Sequence, residues 1–332
     1  MKVAYLGPAA TFTEAALLQL IESGDVWAGG AGTEPGVAGG SAGGDADGAG
    51  RGQIERVPVI SANVALDGIA SGAYDAAVMP IENSLEGGVP ATLDALMRVG
   101  HARIVAETVV PVRFVLAVRP GTALADVQAF GTHPHAEAQT REWMGVHLPD
   151  AQFMPAPSTA AAAKQLGAGD APFHAAVCPE LAAQTYGLEV LAEDIGTAKN
   201  AMTRFILVKP NPQLPTPTGA DKTTIVATLA TDKAGSLLGL LEQFSARRVN
   251  LSRIESRPTG DGLGLYKFSI DISGHVQEPR VSEALAGVHR MVRKLQFLGS
   301  YPAADGIPVE VDSTSTASSF EDSTAWVRSI LG

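Results

Sequence analysis

The 332-residue chain has one cysteine, few aromatic residues (5%) and no apolar run that approaches the length of a membrane span. A lone Cys178 excludes an intrachain disulfide and fits a reducing compartment. Its setting, Ala175-Ala176-Val177-Cys178, is that of an inert core thiol rather than a nucleophile. The apolar stretch at the amino terminus is too short for the core of a signal peptide, so a cytoplasmic protein is expected, with no membrane partner. Positive charge is also scarce, 24 Lys and Arg against 35 Asp and Glu, a formal charge of −11. This argues against nucleic acid as a partner, because phosphate binding needs clustered cations and none is evident. An acidic protein that binds an anion must use local donors, such as helix N-termini and a few arginines.

What is present is a globular composition, 45% hydrophobic, in a chain long enough for two or three domains. Residues 2–6 read as a strand, Gly7-Pro8 as a turn, and Thr11 or Thr13 as the cap of the next helix. Residues 29–52 are Gly, Ala, Ser and Asp with almost no large apolar side chain, which predicts a flexible insertion. A helix is predicted over 64–70 and a buried strand over 74–81. Glu82, Asn83 and Ser84 then fall in the loop at its carboxyl end, where open α/β sheets bind ligands, before a helix over 90–97. Asn83 and Ser84 serve equally well as turn or capping residues.

Strands follow over 103–109 and 112–118. Residues 127–131 lead into Thr132-His133-Pro134-His135, with Thr132 as cap, Pro134 in the first turn of a helix, and Gln139 along it before its end near Gly145. His133 and His135 lack a third ligand of plausible spacing, so capping is preferred to metal binding. Ser158 caps a helix over 159–166, a strand spans 174–178, and Pro179 opens a helix ending at Gly187. This alternation predicts an α/β domain with parallel sheets. The apolar run 206–208 predicts a short buried strand entered through a loop carrying Thr203 and Arg204. A hydroxyl, a permanent cation and the amide of Asn200 suit a small anion, but taken alone these residues favour Thr203 bonding locally and Arg204 meeting a surface acid.

Residues 211–219 form a Pro/Thr-rich linker. Beyond it, strands over 222–230, 250–257, 265–272 and 297–301 alternate with helices over 235–247 and 281–295, the βαββαβ order of a ferredoxin-like unit. Gly260, Gly262 and Gly264 join two strands and open no helix, so they are hairpin glycines rather than a nucleotide loop. Residues from about 303 onward predict a solvated tail in which the apolar stretch 326–331 could dock as one turn.

Several of these segments together resemble the prephenate dehydratases. Thr203-Arg204-Phe205 resembles their Thr-Arg-Phe motif, and Pro80-Ile81-Glu82-Asn83-Ser84-Leu85-Glu86-Gly87-Gly88 a second signature. Thr132-His133-Pro134 is similar to their Ser-His-Pro segment with the hydroxyl kept, and Gly7 to Phe12 to their Gly-Pro-x-Gly-Thr-Phe with Ala10 in place of glycine. Gly235-Ser236-Leu237 and Glu255-Ser256-Arg257-Pro258 resemble an ACT regulatory domain.

The resemblance implies a two-lobed, periplasmic-binding-protein-like (type II) catalytic domain over 1–210, a linker over 211–220, an ACT domain over 221–303 and a tail over 304–332. It implies conversion of prephenate to phenylpyruvate with loss of water and carbon dioxide, without cofactor or metal, in a homodimer or homotetramer. Thr203, Arg204 and Glu82 are the implied catalytic residues, with Asn83, Ser84, Thr132, Gln139, Phe205 and Thr11 around the substrate. L-phenylalanine is the implied effector, held near Gly235, Ser236, Leu237, Leu238, Glu255, Ser256, Arg257 and Pro258. No chorismate mutase segment is read before Met1, so a monofunctional enzyme is expected. An arogenate dehydratase, or an amino-acid-sensing or solute-binding protein without catalysis, are the alternatives.

Overall fold

The computed structural model describes residues 1–28, 53–231, 233–260 and 265–331. The expected insertion at 29–52 and the glycines Gly262 and Gly264 lie outside the described residues. In chain order the first lobe contains β1 (Lys2–Leu6), α1 (Phe12–Glu22), β2 (Glu55–Val59), α2 (Ala62–Ser71), β3 (Ala76–Asn83), β4 (Gly87–Gly88), α3 (Pro90–Arg98) and β5 (Ala102–Pro111). The second lobe follows with β6 (Val115–Val118), β7 (Ala129–Thr132), α4 (Pro134–His147), β8 (Gln152–Pro155), α5 (Thr159–Ala168), β9 (Ala175–Cys178), α6 (Glu180–Thr185) and β10 (Glu189–Ala192). Strand β11 (Met202–Pro210) then returns to the first lobe. The remainder is β12 (Asp221–Leu229), α7 (Ser236–Ser245), β13 (Leu251–Pro258), β14 (Tyr266–Ser273), α8 (Pro279–Met291), β15 (Val292–Pro302) and α9 (Ala317–Leu331).

The first sheet runs β2-β1-β3-β11-β5, with β4 paired to β3, and the second β10-β6-β9-β7-β8. Neither is purely parallel, contrary to the prediction. β11 lies antiparallel to β3 and β5, and β6 antiparallel to β9 and β10. Both antiparallel strands adjoin the two passages between lobes, where no crossover helix imposes a parallel return. The predicted cap at Ser158 forms, accepting from the Ala161 N–H, and Ser61 caps α2 in the same way by accepting from the Val64 N–H.

The third sheet, β13-β14-β12-β15, is antiparallel throughout and completes the predicted βαββαβ unit. One face packs Ile225, Ala227, Ile270 and Ile272 against Leu240, Phe244, Ala284 and Val288 of its two helices. The opposite face turns onto the first lobe, where Val226, Leu298 and Tyr301 join a core that includes Met79, Leu93, Leu96 and Ile104. Each such aliphatic side chain, fully buried, contributes roughly 1.5–3 kcal/mol. The approach is close enough that a Cβ on Gly299 would lie 2.2 Å from the Ile104 carbonyl oxygen.

Some predicted boundaries are corrected. β3 extends through Glu82 and Asn83, because both pair with β4 and β11, so these two residues are not in a loop. β11 begins at Met202, which puts Thr203 and Arg204 inside the strand. The second helix of the third unit ends at Met291, four residues early, because Val292 and Leu295 pair with β12 in an 11-residue strand. The tail forms α9, a 15-residue helix with no buried residue and Trp326, Ile330 and Leu331 exposed, rather than a docked turn.

Candidate active site

Because side chains alternate along a strand, Thr203 and Arg204 leave β11 on opposite faces. Thr203 is opposite Asn83 in the β11–β3 register, and Arg204 opposite Glu82. The Asn83 carboxamide oxygen accepts from the Leu85 and Glu86 N–H groups, at 2.8 and 3.2 Å. That fixes the amide orientation, so its nitrogen is the atom donating to Thr203 Oγ1 at 2.9 Å. The Thr203 oxygen is thus an acceptor toward Asn83, and its own proton is free for another group. Ser84 anchors the start of β11 in both directions, its N–H donating to the Met202 carbonyl and its Oγ accepting from the Met202 N–H.

This corner of the first lobe meets the second lobe through Glu86, whose Oε1 lies 3.2 Å from His135 Nδ1 at the start of α4. A second interlobe contact runs from the Tyr186 hydroxyl to the Ala9 carbonyl at 3.3 Å. Ala9 belongs to the turn between β1 and α1. There Ala10, standing in the glycine position of the resembled motif, has φ +67° and is fully buried. A left-handed conformation costs a non-glycine residue about 1–2 kcal/mol, which explains why the motif calls for glycine. Thr11 precedes α1, but its hydroxyl donates to the Leu6 carbonyl at 3.3 Å and makes no cap bond.

Arg204 is not available to a substrate carboxylate. Its guanidinium is buried among Glu82 Oε2 at 3.2 Å, Glu107 Oε2 at 2.9 Å and Asp271 Oδ2. The Glu82 contact is out of line for a hydrogen bond, leaving Nε paired by charge alone. Burial opposes the charge on Arg204, but Asp271, Tyr301 and Glu107 outweigh it and raise its pKa further. Glu82 therefore sits on this face too, away from Thr203.

Other expected substrate contacts are also placed elsewhere. Thr132 ends β7 and is fully buried, with Oγ1 donating to the Val177 carbonyl at 2.7 Å; the N-cap of α4 is His133 instead. Phe205 belongs to the first-lobe core beside Val3, Leu17 and Leu207. Gln139 is half-buried on α4, with its backbone carbonyl accepting from the Thr197 N–H at 2.7 Å. Cys178 is buried, which pushes its thiol up to about 12. Among the described residues no group of three or more His, Cys, Asp or Glu is arranged to hold a metal ion. No helix among them is long and apolar enough to cross a membrane.

The expected effector residues divide into two sets. Gly235, Ser236, Leu237 and Leu238 line a cavity of about 330 Å³ with Tyr266 and Phe268. Gly235 has φ +85°, which a side chain would resist, as it turns the chain into α7. Residues 255–258 lie on the edge strand β13 and not in that cavity. Arg257 reaches Asp94 of α3 at 2.8 Å, Glu255 presses on Gly88, and Ser256 and Pro258 are exposed. Sequence reasoning does not place Glu107, Asp271 or Arg253 at a site; Glu107 and Asp271 are marked only by charge among buried apolar neighbours, and Arg253 lies in the polar edge strand β13 with no local signal.

A family model described as "Prephenate dehydratase" matches residues 46–213. A curated relative of that description from Mycolicibacterium vanbaalenii is 44% identical over 304 residues, covering 91% of each chain. Among solved structures, the prephenate dehydratase of Arthrobacter aurescens in complex with L-Phe is similar at 46% identity, covering 100% of this chain and 99% of its own, with a TM-score of 0.86. A structure described as a quorum-quenching acylase, GqqA, is 25% identical with a TM-score of 0.74, covering 91% of this chain and 98% of its own.

Proposed function

The chain belongs to the prephenate dehydratase family, whose members convert prephenate to phenylpyruvate with loss of water and carbon dioxide, and we propose that Thr203 is its catalytic hydroxyl. Loss of carbon dioxide pushes an electron pair into the ring, the ring carbon–oxygen bond breaks, and the oxygen departs as water once protonated. Aromatisation supplies much of the driving force. The remaining task is to hold two carboxylates and stabilise the leaving oxygen. Thr203 suits the second role because Asn83 donates to its oxygen and leaves its proton directed elsewhere. This hydrogen bond is the observation that carries the assignment. A threonine hydroxyl is a weak acid, so it stabilises the leaving oxygen while water in the cleft completes the proton transfer.

With Arg204 engaged by protein carboxylates, the substrate carboxylates fall to backbone donors. The first turn of α1, which Thr11 leaves without a side-chain cap, is one such position. Residues 1–210 are assigned to catalysis, 221–303 to regulation and 211–220 to the linker, a division supported by the separate third sheet. Phenylalanine is assigned to the cavity lined by Gly235 to Leu238, a reading supported by the L-Phe complex of the Arthrobacter aurescens protein. The open edge of β13, next to exposed Ile254, supports pairing between subunits in a homodimer or homotetramer. A reducing, cytoplasmic setting suits the single buried thiol.

Steady-state turnover of prephenate by Thr203→Ala tests the catalytic assignment. A fall in kcat of about 10²–10³-fold with the fold intact is expected, the loss typical of one oriented donor. Wild-type turnover in that variant would refute it. Assaying prephenate against arogenate fixes the substrate, and preference for the aminated compound would replace the first reading by the second.

A further inference from the structure

Three side chains of the third unit reach into the first lobe at the elements that hold Thr203. Asp271 on β14 binds Arg204, the residue next to Thr203. Glu255 on β13 packs over Gly88, so that a Cβ there would lie 1.7 Å from its Oε2, and Gly88 pairs with Glu82 on the strand that supplies Asn83. Arg257 holds Asp94 on α3, which follows the same hairpin. Both supports of the hydroxyl, β11 below it and Asn83 beside it, are therefore backed by the regulatory sheet.

The strongest of these links is wholly buried. Asp271 takes Arg204 on one side and Arg253 on the other, the latter through Nε at 2.9 Å and Nη2 at 3.1 Å, and accepts from Thr224 Oγ1 at 2.8 Å. Glu107 faces Arg204 at 2.9 Å and Lys222 at 2.6 Å. Arg204, Arg253 and Lys222 thus face Asp271, Glu107, Glu82 and, from Arg253 Nη1 at 3.4 Å, Glu255. Such networks give little net stability but specify geometry strongly, since any displaced member strands a charge out of water. Strand β14 also joins two sites: Tyr266 and Phe268 line the cavity on one face, and Asp271 leaves the other face three residues beyond Phe268.

We propose that Asp271 is a positioning residue for the reaction, holding Arg204, and through it Thr203, in register with Asn83, so that the catalytic machinery extends into the regulatory unit. The proposal rests on Thr203 as the catalytic hydroxyl. It places the route from the effector cavity to the hydroxyl along β14, through Phe268 and Asp271, rather than through the interlobe contacts. Arg204 then serves as the joint between units, not as a substrate ligand.

The test is a double-mutant cycle in the full chain, because pairs acting through one unit are non-additive whereas independent effects multiply. Asp271→Asn is expected to lower kcat for prephenate about 10–100-fold, with KM within about twofold. In the Thr203→Ala background the same substitution is expected to cost less than about threefold, because the hydroxyl it positions is gone. An unchanged kcat in Asp271→Asn, or an equal fold loss in both backgrounds, overturns the proposal. Thr224→Val removes one hydrogen bond to Asp271 without removing charge, and carries the same cycle if Asp271→Asn does not fold. It is expected to lower kcat about threefold, again only when Thr203 is present. Thr203→Ala alone separates the two ideas: full activity there refutes the catalytic reading, whereas its loss together with an additive cycle refutes only the role of Asp271.

Discussion

The two faces of β11 are chemically unlike. Toward the cleft it presents one neutral hydroxyl whose proton is unspent; toward the third sheet it presents a guanidinium surrounded by carboxylates from β3, β5 and β14. Two adjoining letters of one motif therefore serve different tasks, chemistry on one side and attachment of a neighbouring unit on the other. The difference teaches that a conspicuous cation beside a conspicuous hydroxyl need not meet the same ligand. On a strand, adjacency in sequence means opposition in space.

The comparison breaks most sharply at Arg204. Arg204→Met leaves Asp271 and Glu107 without their shared partner, and a loss of about 3–5 kcal/mol is expected in urea-induced unfolding. A loss below 1 kcal/mol would show that this face contributes attachment of little consequence. Thr132 sharpens the cleft side, because its hydroxyl is already committed to a carbonyl. Thr132→Val should cost about 1–3 kcal/mol, the penalty for stranding the buried Val177 carbonyl, while KM for prephenate stays at the wild-type value. A large rise in KM with unchanged stability would return Thr132 to the substrate.

Ala10→Gly probes the turn that borders the cleft. Relief of the left-handed strain should raise stability by about 1 kcal/mol, less whatever a freer unfolded chain takes back. An unchanged or lower unfolding midpoint would remove strain as the explanation of the motif's glycine.

The smallest expected effect is that of pH near neutrality. Burial alone would raise the Asp271 carboxyl, but Arg204 and Arg253 overcome it and hold it well below the usual carboxylate range. A carboxyl depressed on folding contributes stability above its unfolded pKa, about 3.9, and loses it as pH falls further. The stability difference between wild type and Asp271→Asn should thus be level from pH 5 to 8 and shrink only below about 4. A slope between pH 5 and 8 would place the titrating group elsewhere.

Much of the architecture was legible in the chain, because strands and helices announce themselves locally. The Ser158 cap, the βαββαβ order and the apolar run 206–208 of β11 all rest on patterns a few residues long. The roles of individual side chains were harder to read. Arg204 meets Glu107 and Asp271, 97 and 67 residues away, and no local pattern specifies which acid a buried arginine will find. Local sequence puts Glu82 and Asn83 in a loop, because nothing near them shows that β4 and β11 flank them. The effector set divided for a related reason, since residues 255–258 alternate between solvent and the first lobe rather than facing a common cavity.

The carboxamide of Asn83 makes the site sensitive to one atom. Exchanging its nitrogen for oxygen, as in Asn83→Asp, alters neither size nor outline, yet turns the donor beside Thr203 into a second acceptor. The threonine would then have to spend its proton on that new carboxylate, and a pocket of unchanged shape would fall silent through nothing more than a reversed arrow.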